Sequence, residues 1–356
     1  MTTPAYPPAR AAQAVAHSNI ALVKYWGKRP VEDPMALGLN LPAVGSLSMT
    51  LDELRTVTKL VPAAEDSFEL DGQTLTGASA DKVFAHLDRL WILANRVPPR
   101  PRFAVISTNH LPTAAGLASS ASGFAALTVA AAGAMSLLGE SGSLDAAART
   151  RLSDWARQGS GSAARSLWGG FVRLDAGTRD DGQDCVARPL FAPDHWDLRL
   201  LVVHTARGAK AIGSTGGMES SRLTSPYYPA WVSSHAADLD AAEQALGARD
   251  FAALGTVMEH SCFKMHACML ATQPPLMYWN GATLEVIREV WRLRMATNPD
   301  GGEPLRGFVT SDAGPHVKVL CRANQAEALA AALAAVPGVH EVQAVAPGPD
   351  ASLELL

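Results

Sequence analysis

Apolar and polar positions along this chain fall into two regimes. From Ala14 to Lys24 the residues are mostly apolar, interrupted by Asn19 and Lys24; Leu47 to Leu60 alternates as strand pairs do, and Arg102 to Ser107 predicts a further strand. Asp81 to Leu93 carries Val83, Phe84, Leu87, Leu90 and Trp91 at helical spacing. An alanine-rich run, Phe124 to Met135, predicts a second helix. A third spans Leu144 to about Arg157, with Ser143 as its N-cap and Asp145 in its first turn. Gly169-Gly170 then turns into a strand from Phe171 to Leu174.

Beyond the polar stretch Arg179 to Asp184 and the turn Ala192-Pro193-Asp194, the pattern changes. Asp197 to Thr205 reads as a buried strand, Tyr228 to Thr272 as two long helical patterns, and Thr283 to Met295 as another helix. Gly307 to Ser311 and Val317 to Cys321 predict paired strands around Ala313-Gly314-Pro315; a helix from Gln325 to Ala335 and a strand from Val339 to Val345 follow. The expectation is an α+β protein of two domains, residues 1–195 and 196–356.

The bulk composition narrows the class. The 356 residues are 48% hydrophobic and 18% charged, with a formal net charge of −4 and no run of Lys or Arg, which excludes a nucleic-acid surface. Four scattered cysteines fit a reducing compartment better than a disulfide framework. Met1 to Arg10 has no apolar core of a signal peptide, and the apolar stretch near Phe124–Leu138 is too short to span a bilayer. A soluble, cytoplasmic protein without a membrane partner is expected.

Chemistry gathers in three places. Pro112-Thr113-Ala114-Ala115-Gly116-Leu117-Ala118-Ser119-Ser120-Ala121-Ser122-Gly123 opens the alanine helix with small residues and hydroxyls. Unpaired amides and a positive dipole end at such a helix start form a phosphate cradle, with Ser119 or Ser120 as donor or Mg²⁺ ligand. It lacks the Gly-Lys-Ser/Thr of a Walker loop, and a tightly packed Ala/Ser helix start gives the same pattern. The segment Ala16–Lys28 carries Lys24 and Lys28 with Asn19 and Tyr25, suited to an anionic substrate or simply to a strand whose lysines reach solvent. Gly159-Ser160-Gly161-Ser162 precedes Arg165, which suits a carboxylate; a Gly/Ser turn with a surface arginine is the alternative. Asp312, before Ala313-Gly314-Pro315, is either a turn former or a group that aligns or deprotonates an attacking hydroxyl. His260, Cys262, His266 and Cys268 invite a zinc reading, but their spacing matches no zinc pattern; the tryptophans read as core.

Together these segments resemble the diphosphomevalonate decarboxylase family of the GHMP kinase superfamily. The resemblance rests on Ala16–Lys28, Ser46–Leu51, Pro112–Gly123, Ala156–Phe171, Ser214–Met218 with Thr224-Ser225-Pro226, Met265-His266-Ala267, Gln273-Pro274-Pro275 and Asp312–Pro315. It implies a GHMP-kinase-like fold: a ribosomal-S5-like N-terminal domain with a left-handed βαβ unit, a ferredoxin-like C-terminal domain, and a site between them. It implies ATP-dependent decarboxylation of a phosphorylated mevalonate, with ATP as co-substrate, Mg²⁺, no organic cofactor, and a homodimer.

It also implies roles. Pro112, Ala114, Ala115, Gly116, Leu117, Ala118, Ser119 and Ser120 would hold ATP; Asp312 would act on the tertiary hydroxyl beside Lys24; and Arg165, with Asn19, would hold the carboxylate. Tyr25, Lys28, Ser160, Ser162, Ser214 and Thr215 would surround the substrate's phosphate tail. His316 stands where the family's turn usually has asparagine, and Ala164 where cysteine or serine is common. The rivals are a decarboxylase of the monophosphate or of a bis-phosphorylated mevalonate, a plain kinase of the same superfamily, and a catalytically silent nucleotide-binding protein. The joint presence of Lys24, Arg165 and Asp312 argues against the last two.

Overall fold

A computed structural model describes residues 6–31, 38–110, 119–139, 142–207, 213–296 and 303–356. The first half of the chain forms β1 (Ala12–Val23), β2 (Ser46–Pro62), β3 (Ser67–Leu70), β4 (Gln73–Leu75), α1 (Ala78–Leu93), β5 (Phe103–His110), α2 (Ser119–Ala134), α3 (Ala146–Gly159), β6 (Phe171–Leu174) and β7 (Ala187–Phe191). The second half forms β8 (Leu198–His204), α4 (Ser214–Thr224), α5 (Tyr228–Ser233), α6 (His235–Ala248), α7 (Phe251–Leu270), α8 (Gly281–Met295), β9 (Gly307–Thr310), β10 (Val317–Arg322), α9 (Ala326–Ala334), β11 (Glu341–Val345) and β12 (Ser352–Leu355).

Two sheets result. One runs β12-β1-β2-β5-β3-β4, with β6 on β2 and β7 on β6; the other runs β11-β8-β10-β9. Pairing is antiparallel except between β3 and β5, which are parallel with α1 between them in the chain. This two-sheet α+β architecture agrees with the expected fold class. The last strand, β12, leaves the second half and pairs with β1.

β2 changes partner along its length. Ser46 to Met49 pair with β6, while Arg55 to Pro62 pair with β5. Its register with β1 breaks between His17/Arg55 and Asn19/Thr50, so Ser18 falls in the break.

Beyond its first turn α2 is apolar all round rather than amphipathic, and it is buried from Ala125 to Ala134. Its alanines let it lie close against β1 and β2, and Gly133 leaves room for β12, since a Cβ there would sit 2.8 Å from Leu353 Cδ1. A second core joins the sheets: Ile20, Leu22, Leu47 and Met49 from the first meet Leu200, Val202 and Leu320 from the second, with Leu254 and Met258 of α7 between them.

Several boundaries differ from expectation. α3 is capped by Asp145, not Ser143; Asp145 is extended and its carboxylate accepts the Ala148 amide at 2.8 Å. The two patterns between Tyr228 and Thr272 become three helices. α7 begins at a cap, Asp250, whose carboxylate accepts the Ala253 amide at 3.0 Å. Asp250→Ala should lower unfolding stability by about 1 kcal/mol. Urea denaturation measures it.

Candidate active site

A cleft of about 600 Å³ opens where β1, the segments after α3 and β9, and α4 converge. It is lined by Asn19, Tyr25, Lys28, Ser120, Ser160, Ser162, Arg165, Ser214, Thr215 and Asp312, residues from five separate stretches of sequence. Pro112, Ala114, Ala115, Gly116, Leu117 and Ala118 lie outside the described residues, as does the side chain of Ser119. Ser120 is described, exposed in the first turn of α2.

Lys24 follows the last residue of β1 and is 1% exposed. Its Nζ reaches Asp312 Oδ1 at 2.7 Å, and its backbone amide donates to Ser261 Oγ of α7 at 3.0 Å. Asp312 stands just beyond β9, its side chain 34% open, so the buried lysine meets a carboxylate that still faces the cleft. The turn is gripped by α7 as well. Cys262 Sγ accepts the Ser311 amide at 3.1 Å, and His266 Nε2 lies 3.3 Å from the Ser311 carbonyl. Burial takes the His266 imidazole down to about 3, so it is neutral and donates to that carbonyl. Cys262 and His266 thus seat the Asp312 turn.

A second cation completes the arrangement. Lys318 Nζ lies 3.5 Å from Asp312 Oδ2. Burial pushes the Asp312 carboxyl up, but the charges and hydrogen bonds of Lys24 and Lys318 outweigh it and hold the group well below the usual carboxylate range. Burial lowers Lys318 in turn, against the opposing pull of Asp312. Lys318 is not among the residues that sequence reasoning singles out. Its signal is a lysine in the otherwise apolar stretch Val317–Cys321, the same anomaly that marks Lys24.

Opposite stands Arg165, 2% exposed, on the 3₁₀ turn Gly161–Leu167. Its Nε donates to Asn19 Oδ1 at 3.1 Å and its Nη1 to Ser46 Oγ at 2.7 Å. Asn19 in turn donates to the Ser162 carbonyl and to Ser166 Oγ. These bonds hold the guanidinium still, yet among the described residues no carboxylate lies within ion-pairing distance of it. Burial pulls it down to about 10, with Tyr25 and Asp312 acting the other way, so it is charged at neutral pH.

The remaining wall is polar. Ser160 Oγ lies 3.4 Å from Ser120 Oγ and 3.3 Å from Ser162 Oγ, so one serine links α2 to the Gly/Ser turn. Lys28 Nζ donates to Asn40 Oδ1 at 2.6 Å, and Asn40 donates to the Arg157 and Gln158 carbonyls. Asn40 and Ser46 are positioning groups that only the fold could reveal. The Tyr25 hydroxyl is buried, with no hydrogen-bond partner among the described residues, against Gly161, where a Cβ would come within 2.2 Å of it; burial raises it to about 12. His316 Nδ1 accepts the Thr205 amide at 3.2 Å, so this departure in the turn serves the second sheet.

Residues 16–187 match the family model for the diphosphomevalonate decarboxylase-like N-terminal domain, and residues 200–350 that for the mevalonate 5-diphosphate decarboxylase C-terminal domain. A diphosphomevalonate decarboxylase of Aspergillus fumigatus is 34% identical over 345 residues, covering 92% of this chain and 80% of the relative. The human diphosphomevalonate decarboxylase is 34% identical over 331 residues, covering 88% and 77%. Among solved structures, mevalonate diphosphate decarboxylase from Staphylococcus aureus superposes with a TM-score of 0.84 at 32% identity, over 97% of this chain and 98% of that one. MDDEF in complex with MVAPP, AMPPCP and magnesium superposes with a TM-score of 0.83 at 34% identity, over 98% and 99%.

The two-lysine clamp predicts a pH signature. A carboxyl depressed in the folded state adds stability above its unfolded value of about 3.9, and that contribution is lost as the pH falls through the folded value. Lys318→Met removes one cation and leaves the burial, so the Asp312 carboxyl should titrate at higher pH than in the parent protein. Carboxyl ¹³C NMR reads this directly, and an unchanged midpoint would leave Lys24 alone in control.

Proposed function

The chain belongs to the diphosphomevalonate decarboxylase family, and from that premise we propose how its cleft divides the work. The reaction is the ATP-dependent decarboxylation of diphosphomevalonate to isopentenyl diphosphate, releasing ADP, phosphate and CO₂. A carboxylate beta to a tertiary hydroxyl is lost only slowly, because hydroxide leaves poorly. Transfer of the terminal phosphoryl group of ATP turns that hydroxyl into a phosphate ester. The C–O bond then breaks with its electron pair going to phosphate. The electrons of the C–CO₂ bond fill the deficient carbon, giving the alkene and CO₂.

The observation that carries the assignment is the Lys24–Asp312 contact facing the same cleft as Arg165. Asp312 accepts and aligns the tertiary hydroxyl, and Lys24 holds the carboxylate ionised and neutralises the oxygen as it is phosphorylated. Arg165, fixed by Asn19 and Ser46, pairs bidentately with the substrate carboxylate and keeps it ionised until it leaves. Tyr25, Lys28, Ser160, Ser162, Ser214 and Thr215 receive the diphosphate tail, and the orphan Tyr25 hydroxyl supports that role.

Pro112 to Ser120 hold the ATP phosphates. Magnesium on a nucleotide takes one or two protein oxygens beside phosphate oxygens and water, and hydroxyls in the first turn of α2 fit that need. Ser119 or Ser120 would hold the ion, which supplies charge neutralisation for the phosphoryl group. We further read residues 1–195 as the nucleotide half and 196–356 as the second domain, in a cytoplasmic homodimer. The four buried, unpaired cysteines are consistent with that compartment, and no helix among the described residues is long and apolar enough to cross a membrane.

Incubating the protein with ATP, Mg²⁺ and either the mono- or diphosphate of mevalonate tests the reading. CO₂ and isopentenyl diphosphate should form with the diphosphate; phosphorylated product accumulating without CO₂ would mean a kinase. Asp312→Asn should retain ATP binding while kcat falls by about 10³-fold. Retention of most of kcat would remove Asp312 from its role.

A further inference from the structure

The segment that joins β5 to α2 contains the proposed nucleotide loop, and both of its flanks are tied to one side chain. Thr56, 1% exposed in the middle of β2, hydrogen-bonds Asn109 Oδ1 at 2.9 Å and Ser122 Oγ at 2.8 Å. Asn109 is the penultimate residue of β5 and lies directly across from Thr56 in the sheet. Ser122 is fully buried in the first turn of α2. One threonine hydroxyl therefore bridges the two ends of the connection.

The bridge is anchored beyond Thr56. Asp71, in the turn between β3 and β4, accepts the Asn109 amide N–H at 2.7 Å and the side-chain Nδ2 at 3.1 Å. A carboxylate only accepts, so this contact orients the Asn109 amide and presents Oδ1 to Thr56. On the other side Ser122 Oγ lies 3.2 Å from Ser18 Oγ. Ser18 falls in the register break of β1, immediately before Asn19, which holds Arg165. The polar chain Asp71–Asn109–Thr56–Ser122–Ser18 thus runs from an exposed carboxylate at the surface, through the buried hydroxyls of Thr56, Ser122 and Ser18, to the neighbour of Asn19. Buried hydroxyls that are bonded to one another fix geometry, because each would be costly to leave unpaired.

We propose that Thr56 is a positioning residue for the nucleotide: its hydroxyl holds Asn109 and Ser122, on the two flanks of the connection between β5 and α2, in place for ATP binding. The inference rests on the assignment of Pro112 to Ser120 as the nucleotide loop. Its consequence is selective. Loss of the Thr56 hydroxyl should loosen nucleotide binding while leaving diphosphomevalonate binding, which uses other walls of the cleft, in place.

Steady-state kinetics on Thr56→Val, Thr56→Ser, Ser122→Ala and Gly116→Val separate the possibilities. For Thr56→Val, KM for MgATP should rise about fivefold, the scale of one lost buried hydrogen bond, with KM for diphosphomevalonate within about twofold of the parent. Ser122→Ala should act in the same direction, and Thr56→Ser should restore most of the loss. If Gly116→Val raises KM for MgATP and Thr56→Val does not, the positioning role is wrong and the loop assignment stands. If neither changes it, the loop assignment fails too. An equal rise in both KM values, or no recovery in Thr56→Ser, would reduce Thr56 to a packing residue.

Discussion

The contact between Lys24 and Asp312 is the constraint on which the molecule turns. One partner follows the first strand of the first sheet and the other follows a strand of the second, so the pair exists only if the sheets meet in one orientation. α7 enforces that meeting. Within two turns it offers Ser261 to the Lys24 backbone and Cys262 and His266 to the turn that carries Asp312. A helix that looks in sequence like an untidy mixture of methionine, cysteine and histidine is therefore a jig. Ser261, Cys262 and His266 are spent on backbone groups of the segments that carry Lys24 and Asp312, and its apolar side chains, Leu254 and Met258, fill the core the sheets share.

Charge balance around that contact is unequal. Lys24, Lys318 and Arg165 are each 1–2% exposed, and Asp312 is the one carboxylate facing them among the described residues. Burying cations in excess of anions is unfavourable for an isolated fold. It becomes favourable when the missing anions arrive with the ligand, and a substrate bearing a carboxylate and a diphosphate supplies them. The hydrogen bonds from Arg165 to Asn19 and Ser46 matter for this reason: neutral partners hold the guanidinium in place without satisfying its charge.

Much of this arrangement is legible in the amino-acid sequence. Lys24 stands out as a lysine in an apolar run, whereas Arg165 after a Gly/Ser turn and Asp312 at a strand end are ordinary by themselves and gain meaning only through the joint resemblance of their segments. Elements with strong periodicity, such as α1 and α8, follow directly from spacing. What escapes is of two kinds. Asn40 and Ser46 are ordinary polar residues in irregular or strand sequence, and their value lies in partners far along the chain. The cap of α3 is ambiguous in sequence because Ser143 and Asp145 are both good caps; only the extended backbone at Asp145 and its bond to Ala148 decide between them. β12 is too short to display a period, and its position depends on the edge that β1 leaves open.

That last strand has a bearing on how the protein comes into being. β1 leaves the ribosome long before β12, the strand that pairs with its opening residues Ala12–Val15. Until then the Ala12–Val15 end of β1 lacks its partner at the rim of the first sheet, and Gly133 of α2 leaves room beside it for Leu353 and Leu355. The first sheet therefore stays unfinished at one border until the second half has been synthesised. The fold closes like a clasp, with β12 fastened onto β1.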